Sequence, residues 1–331
     1  MVEPVAPDDA ADAGPEAEFR PFVIDASQHG ERLDRALAVL APEFSRSYLQ
    51  QLIEAGGVAL NGVAATRSSA RVKAGDQGVV ELRPTPQSQA FRPEVMALDI
   101  VFEDEHLLVV NKPAGLVVHP APGNWSGTLL NGLLARDAKA MLLPRAGIVH
   151  RLDKDTSGLM VVARTRATMG ALVQKIAARD VSRQYVALAH RPWGSAPSRQ
   201  VQAPIGRDPR NRLRMAVVET GKPAATFFEL MENAQEGCWV RATLETGRTH
   251  QIRVHMAHIG HPLVADDLYG GAAAAGLSRQ GLHAYRLAFA HPATGQPLAF
   301  HAPLPADLQD GLRLWGLRYN HDQWLTSHAP G

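Results

Sequence analysis

The chain lacks several features that mark whole classes of protein. Cys238 is the one cysteine among 331 residues, which excludes an internal disulfide framework and a cysteine-cluster zinc site. No run approaches the roughly 20 apolar residues of a membrane-spanning helix, and residues 1–20 lack the basic start and apolar run of a secretory signal. Hydrophobic residues still make up 45% of the chain, enough to build a core. We therefore expect a soluble, cytoplasmic protein.

Common nucleotide and nucleophile motifs are also missing. The segment Gly123–Thr128 has no lysine and is not a phosphate loop, and no Gly-x-Gly-x-x-Gly follows a candidate strand. Ser157 lies in Asp-Thr-Ser-Gly, which is not a nucleophile elbow. The sequence therefore predicts no cofactor.

A cluster of histidines raises the question of a metal site. His250, His255, His258 and His261 fall close together, but their spacing is neither His-Glu-x-x-His nor that of a zinc finger. No carboxylate lies between them. We predict no metal site and keep a metal-dependent hydrolase as an alternative, which activity in the presence of a chelator would exclude.

Charge is unevenly distributed along the chain. The net charge is only +1, but residues 1–20 carry six acidic residues against Arg20 alone. Residues 145–214 hold fourteen Arg or Lys residues against four acidic ones. A basic block inside a folded domain is the pattern expected of phosphate binding. An ordinary solvated surface is the alternative.

The first part of the chain has the pattern of a small domain after an acidic tail. Residues 1–20 are rich in Ala, Pro, Asp and Glu without periodicity, and we predict that they are disordered. Within 21–83, the spacing predicts one helix from Leu33 and a second capped by Ser45. A strand, an Asn-Gly turn and a second strand follow over 58–63, then a turn over 73–76.

This order of two helices, "GGVALNG" and "VKAGD" resembles the S4 RNA-binding domain. The resemblance implies that basic side chains of the two helices and the following turn contact the RNA backbone. Such phosphate contacts position a protein without reading sequence. The residues that it indicates are Arg32, Arg35 and Arg46, with Arg67, Arg71 and Lys73 as further candidates. Ordinary surface charge is the alternative for each of them.

Residues 84–97 contain closely spaced prolines and predict a linker. The larger second domain, 98–320, alternates short β-rich runs with a few helical stretches, and a tail over 321–331 follows. Thr168–Ala178 predicts a helix with Leu172, Val173 and Ile176 inward. Because the strands do not follow a strict βαβ order, we expect an α+β domain on a mixed, largely antiparallel sheet.

Two segments are more polar than a core requires. Residues 147–158 read as an apolar strand that opens into a charged turn, and residues 246–255 alternate polar and apolar side chains like a half-exposed strand. The first carries Arg151 with the acids Asp153 and Asp155, and the second carries Arg248 and Arg253. A structural ion-pair network would show the same residues, so their composition leaves the two interpretations open.

The first of these segments, "HRLDKDTSGLMVVAR", resembles the signature of the RluA-type pseudouridine synthases. "SRQYVALAH", "GKPAATFFEL" and "TGRTHQIRVHMAHIGHPLVADDLYG" follow in that family's order, and the match covers nearly all of the second domain. With the S4-like segment, the chain is most similar to the type D subgroup, which acts on large-subunit ribosomal RNA. The resemblance implies an isomerase that needs no metal or cofactor, with ribosomal RNA as its partner. We expect a monomer.

The resemblance also implies roles for five residues. Asp153 is the aspartate that attacks the target uridine, on the sugar or on the base ring, and Arg253 is the arginine that pairs with it. An opposite charge within about 4–6 Å favours the ionised carboxylate. Tyr185 stacks on the base, with Ile252 as the apolar residue beside it. Arg151 contacts the RNA where the nucleotide flips out of the stack, which is required because a stacked base is inaccessible.

Three positions depart from the family pattern, and one nearby acid serves as an internal control. Arg183 stands where Lys is expected, which retains the charge but changes its geometry. Ala265 and Asp267 stand where Gly and Pro are more usual, which puts the shape of that loop in question. Asp155 lies two residues from Asp153 but does not follow Arg-Leu directly. A non-catalytic RNA-binding or ribosome-assembly protein is the remaining alternative, although it would not need the set Asp153, Tyr185 and Arg253.

Overall fold

The structure is a computed structural model. It describes residues 18–42, 44–82, 90–121, 123–194, 196–211 and 213–318. These residues form two compact units, one before position 90 and one from position 90 onward. The predictions for the tail over 1–17, for positions 83–89 and for the tail over 321–331 lie outside the described residues.

The first unit packs two helices on a small sheet, as predicted. Ser45 caps the second helix, its Oγ accepting a hydrogen bond from the Tyr48 backbone N–H at 3.3 Å. Leu33, Leu37 and Leu49 are fully buried between the layers. The sheet order is β1-β4-β2-β3, and the elements are β1 Glu18–Val23, α1 Leu33–Leu40, α2 Arg46–Glu54, β2 Val58–Leu60, β3 Val63–Ala64 and β4 Gln77–Leu82.

The prediction that disorder extends to Arg20 is wrong for its last three residues. β1 begins at Glu18 and pairs antiparallel with β4 from Glu18 opposite Leu82 to Val23 opposite Gln77. A polar composition indicates disorder only where no partner strand exists. Here the partner lies far along the chain, so local composition could not reveal it.

The second unit is built on one large sheet. Its order is β5-β6-β7-β14-β8-β13-β12-β9, with β15 beside β14, and β7–β14 is the one parallel pair among these described strands. This confirms the predicted α+β class with a mixed, largely antiparallel sheet. The strands are β5 Ile100–Glu103, β6 Leu107–Lys112, β7 Ser157–Ala163, β8 Val181–His190, β9 Ser198–Gln202, β10 Ile205–Arg207, β11 Met215–Val217, β12 Ala225–Asn233, β13 Gly237–Leu244, β14 Leu282–Ala290 and β15 Pro297–His301. The helices are α3 Leu129–Arg136, α4 Arg166–Ala178, α5 Gln251–His258 and α6 Ala306–Leu314.

Residues 90–97, the second half of the predicted linker, belong to the second unit. The Asn131 side chain on α3 donates to the backbone oxygens of Ala90 at 3.3 Å and Arg92 at 2.8 Å. Ala90 is also buried. The predicted linker 84–97 is therefore too long at its C-terminal end, because proline and polarity indicate irregular backbone but not whether that backbone is anchored.

Two secondary-structure predictions near the site are wrong. The segment predicted as a half-exposed strand within 246–255 is helical from Gln251, where α5 begins. Its polar side chains are satisfied by partners distant in sequence, so alternation did not reflect exposure. The apolar run before Arg151 forms only one bridge, from Ile148 to Val162, and no strand. On α4, Leu172 is buried as predicted, but Val173 is 47% exposed.

The sheet brings the two polar segments together. β8 lies near the middle of the sheet, between β14 and β13. The turn containing Asp153 precedes β7, and α5 follows β13. Tyr185 of β8, Leu152 of the turn and Ile252 of α5 are buried in the same apolar cluster. No helix in the described ranges is long and apolar enough to cross a membrane.

Candidate active site

A pocket of about 800 Å³ contains all five residues that the sequence predicts for the second-domain site. It is lined mainly by three stretches of chain: the approach to β7, the end of α4 with the start of β8, and the connection from β13 into α5. The five are Arg151, Asp153, Tyr185, Ile252 and Arg253.

Asp153 is held by an ion pair. Its Oδ2 accepts a hydrogen bond from Arg253 Nη1 at 3.0 Å, and its side chain is 15% exposed. The turn is closed by the Thr156 backbone N–H, which donates to the Asp153 carbonyl at 3.2 Å. The carboxylate thus lies at the pocket with one oxygen paired to the Arg253 guanidinium.

Arg253 is itself held by a second acid, Asp266. Arg253 Nε and Nη2 donate to the two Asp266 carboxylate oxygens at 2.8 and 2.7 Å, and the Asp266 side chain is fully buried. Burial alone would lower the pKa of Arg253, but the hydrogen bonds and charge of Asp266, together with Asp153, raise it. The guanidinium also lies over the Tyr269 ring, 5.0 Å from its centroid. Sequence reasoning missed Asp266 and Tyr269 as site residues; their one signal was the acidic, aromatic motif "ADDLYG".

His250 is a further neighbour of the carboxylate that sequence reasoning considered only as a metal ligand. Its Nε2 lies 3.7 Å from Asp153 Oδ1, and its Nδ1 is 2.8 Å from the Tyr269 hydroxyl. Burial lowers the pKa of His250, although the Asp153 charge opposes this. The residue has a left-handed φ of 56° at the start of α5, which is uncommon for residues other than glycine. The His250 ring thus lies within reach of both Asp153 and the Tyr269 hydroxyl.

Tyr185 forms an apolar wall of the pocket. It is buried within β8, and burial raises the pKa of its hydroxyl to about 12. The phenol is therefore neutral at physiological pH. Ile252 is 4% exposed and lies in the same apolar cluster, so the two side chains provide a flat, dry surface beside Asp153.

A buried lysine forms a hydrogen bond to the backbone of the turn that contains Asp153. Lys112, at the end of β6, is fully buried, and its Nζ donates to the carbonyls of Pro113, Leu116 and Lys154 at 2.8, 2.9 and 2.9 Å. Burial lowers its pKa to about 7. Lys154 follows Asp153 directly, so these hydrogen bonds from Lys112 fix the backbone beside the carboxylate. No periodicity in the sequence singles Lys112 out from surface lysines.

The chain enters the Asp153 turn through an unusual backbone. Arg145, Ala146 and Gly147 all have left-handed φ angles, of 54°, 53° and 81°. A Cβ at position 147 would lie 1.9 Å from the carbonyl oxygen of Ala163, so only glycine fits there. Non-glycine residues held in this region cost about 1–3 kcal/mol each and cluster at functional sites.

The remaining predicted residues take different positions. Arg151 is exposed and lines the pocket. Asp155 does not line it; its backbone oxygen accepts from Arg279 at 2.9 Å. In the loop that departs from the family pattern, Ala265 has a left-handed φ of 56°, and Asp267 begins a short 3-10 helix. These are conformations that Gly and Pro, respectively, adopt most readily.

The arginines predicted to bind RNA in the first unit are partly engaged by acids. Arg32 and Arg46 each donate to the fully buried carboxylate of Asp34, at 3.0 Å. Arg35 pairs with Glu31 at 3.3 Å on the surface. All three guanidinium groups stay at least one third exposed. The sequence did not identify Asp34 as the buried acid that organises two of them.

The histidine cluster is dispersed in the fold. His255 is buried, with Thr226 Oγ1 2.9 Å from its Nδ1 and the Ala203 carbonyl 3.0 Å from its Nε2. His261 stacks on Trp193 with ring centroids 5.0 Å apart. Among the described residues, no group of three or more His, Cys, Asp or Glu side chains is placed to hold a metal ion.

The chain is similar to known RNA-modifying enzymes. Residues 106–258 match the family described as RNA pseudouridylate synthase, and residues 31–77 match the S4 domain. It is 48% identical over 311 residues to ribosomal large subunit pseudouridine synthase D of Neisseria meningitidis serogroup B, covering 90% of this chain and 82% of that protein. With the protein of that name from Escherichia coli O6:H1 it shares 44% identity over 300 residues, 86% of this chain and 90% of the other.

Two solved structures share the fold. The human RNA pseudouridylate synthase domain containing 1 aligns with a TM-score of 0.56 and 28% identity, covering 71% of this chain and 95% of that one. The human RNA pseudouridylate synthase domain containing 4 aligns with a TM-score of 0.52 and 23% identity, covering 67% of this chain and 94% of that one. Both the family resemblance and the S4 resemblance predicted from the motifs are thus confirmed.

Proposed function

This chain belongs to the RNA pseudouridylate synthase family, and we propose that it isomerises specific uridines of large-subunit ribosomal RNA with Asp153 as covalent catalyst. The names of its relatives indicate the substrate class. The observation that carries the residue assignment is the ion pair between Asp153 and Arg253 at 3.0 Å inside the pocket. A pocket that only bound RNA phosphate would not need a negatively charged carboxylate in its lining, whereas a covalent catalyst requires such a group.

The proposed reaction conserves every atom of uridine. Asp153 forms a covalent bond to the uridine, the N1–C1′ glycosidic bond breaks, and the base rotates. A C5–C1′ bond then forms and the bond to Asp153 breaks, which restores the free carboxylate. The proton on C5 is lost and N1 gains one, so the net change is an isomerisation without oxidant or co-substrate. Arg253 holds the Asp153 carboxylate in position, and Asp266 holds Arg253.

The base is held by apolar contact and reached by flipping. The Tyr185 ring and Ile252 form the wall on which the uracil packs, and the neutral Tyr185 hydroxyl is available to hydrogen-bond it. Arg151, exposed at the pocket, contacts the RNA at the position the nucleotide leaves. Flipping costs a few kcal/mol, which the basic surface around the pocket offsets through phosphate contacts.

The S4 unit provides the second RNA contact. Arg32, Arg35 and Arg46 retain exposed guanidinium groups that bind the phosphate backbone and orient the substrate. We further propose that the enzyme acts as a cytoplasmic monomer, on ribosomal RNA within a ribosomal particle or an assembly intermediate.

The decisive test is mapping of pseudouridine after incubation of the purified protein with unmodified large-subunit ribosomal RNA, with and without chelator. We expect product in both conditions. Asp153→Asn should abolish product while RNA binding persists, and full activity of that variant would refute the mechanism.

Asp155→Asn is the matched control. Because Asp155 lies two residues away without lining the pocket, much of the activity should remain. A loss as severe as that of Asp153→Asn would mean that both carboxylates are required or that the nucleophile is misassigned.

Removal of residues 1–85 tests the S4 contribution. The truncated chain should bind ribosomal RNA more weakly and choose sites less well, with a smaller effect on the chemical step. Unchanged affinity would show that the first unit does not contact the substrate.

A further inference from the structure

Arg183 is a buried cation in the active-site pocket that no described acid neutralises. It lies on β8 two residues before Tyr185, and both line the pocket, as residues i and i+2 of a strand share a face. It is 6% exposed, and its buried Nε has no hydrogen-bond partner among the described residues. None of the ion pairs between described residues includes it.

The rest of the pocket does not compensate this charge. Six arginines line the pocket against two acids, Asp153 and Glu245. Asp153 is paired with Arg253, and Glu245 with Arg179 at 3.2 Å. A buried ion that lacks a partner is strongly unfavourable. The charge of Arg183 is therefore available to an anion that enters the pocket.

The guanidinium lies beside the 246–249 loop and near His150. An ideal Cβ at Gly247 would lie 2.8 Å from Arg183 Nη1, so glycine lets the 246–249 loop lie directly against the head group. His150 is the other polar neighbour, and burial, with the Arg183 charge as the lesser cause, lowers its pKa to about 3. His150 is thus neutral, and its Nε2 accepts from the Val161 backbone N–H at 3.0 Å. Neither neighbour supplies a negative charge.

We propose that Arg183 binds a backbone phosphate that flanks the flipped uridine. This inference rests on the proposed function, since it places the uracil against Tyr185. The Cα atoms of residues i and i+2 of a strand are about 6.6 Å apart, so the Arg183 side chain leaves β8 at roughly the extent of a nucleotide from Tyr185. The planar fork of arginine donates two hydrogen bonds to a phosphate, whereas lysine offers a point charge.

Binding of RNA at several salt concentrations, with single-turnover product formation, tests the proposal. The substrate is a large-subunit ribosomal RNA fragment in which the wild-type protein forms pseudouridine. Arg183→Met should weaken binding roughly ten- to a hundredfold and lower the slope of log affinity against log salt by about 0.7. Arg183→Lys should be intermediate. Arg313→Gln, a surface arginine outside the pocket, is the control and should keep the wild-type slope.

Modified RNA identifies the group that Arg183 contacts. One of the two phosphates next to the target uridine is replaced by an uncharged methylphosphonate. At one of these two positions, the methylphosphonate should weaken RNA binding by the wild-type protein by about the same factor as the substitution Arg183→Met does. The same modification should not weaken binding by the Arg183→Met variant any further. Equal losses in both proteins at both positions, or wild-type affinity and slope in Arg183→Met, would overturn the proposal.

Stability separates a binding role from a structural one. Methionine has a similar size and no charge, so Arg183→Met should melt at the same temperature as the wild type or higher. A lower melting temperature or a variant that does not fold would show that Arg183 supports the fold, and would overturn the proposal. Failure of the proposed function is seen separately, as absence of pseudouridine with the wild-type protein.

Discussion

Arg253 is bound to Asp266 through two parallel hydrogen bonds, Nε to Oδ2 at 2.8 Å and Nη2 to Oδ1 at 2.7 Å. Asp266 is fully buried and Arg253 is 9% exposed. The third nitrogen of the guanidinium, Nη1, donates to Asp153 Oδ2 at 3.0 Å. The geometry of the proposed nucleophile therefore depends on an acid that does not itself line the pocket.

Asp266→Asn should lower the rate of pseudouridine formation by on the order of 100-fold, because a loosened Arg253 no longer holds Asp153 in position. The Michaelis constant for RNA should change far less than the rate, since Asp266 does not touch substrate. Steady-state kinetics measure both. Asp267→Asn, the exposed neighbour, is the control and should behave like the wild type; equal effects of the two variants would contradict the argument.

Lys112 predicts a pH dependence of stability. Its pKa is lowered by burial to about 7 from 10.5, so between these values the unfolded chain binds a proton that the folded chain does not. The free energy of unfolding should rise with pH across this window. Lys112→Met should lose this contribution, on the order of 2 kcal/mol between pH 7 and 9.

Chemical denaturation at the two pH values measures the Lys112 effect as a difference between variant and wild type. Lys139→Met, at an exposed lysine, is the control and should keep the wild-type pH dependence. A parallel pH profile for Lys112→Met and the wild type would show that the buried amine does not titrate in this range.

Ala265→Gly should stabilise the protein. Ala265 has a φ of 56°, and a left-handed conformation costs an L-residue roughly 1–2 kcal/mol. Part of this gain is offset by the larger entropy of glycine in the unfolded chain, which leaves a net gain of about 0.5–1 kcal/mol. Thermal denaturation measures it. Ala167→Gly, within α4, should lower stability by a similar amount, and a loss at both positions would contradict the strain argument.

Asp34→Asn should destabilise the first unit by about 2 kcal/mol, because Arg32 and Arg46 lose a buried anionic partner. A hydrogen bond from Arg32 is the largest cause that holds the pKa of Asp34 well below its usual 3.8. Burial opposes this effect, and hydrogen bonds from Gln50 and Arg46 add to it. Its stabilising contribution is therefore complete above about pH 4 and is lost as the pH falls further.

Hydrogen exchange of α1 and α2 measures the Asp34 effect locally. Glu31→Gln removes the exposed partner of Arg35 and should change protection by about 0.5 kcal/mol at most, as expected of a surface pair. Similar effects of the two substitutions would show that burial of Asp34 does not matter.

Elements with a strong local pattern were predictable. The helices from Leu33 and after Ser45, the central strands of the sheet and the mixed-sheet class follow from apolar spacing and capping, which operate over a few residues. The wrong secondary-structure predictions for β1 and α5 share one cause, which is contact with segments distant in the sequence. β1 reaches back to Glu18 because β4 provides its partner, and residues 251–258 form a helix because distant groups satisfy their polar side chains.

The site divides in the same way. The motifs around Asp153, Tyr185 and Arg253 identify the family and order the candidates, because reactive residues are set by side-chain chemistry that a sequence displays directly. Only the tertiary structure decides that Asp266 holds Arg253, that Lys112 supports the Asp153 turn and that Arg183 is buried without an acidic partner among the described residues. Burial and pairing depend on which distant segments meet, and a buried acid or lysine has the same letter in the sequence as an exposed one.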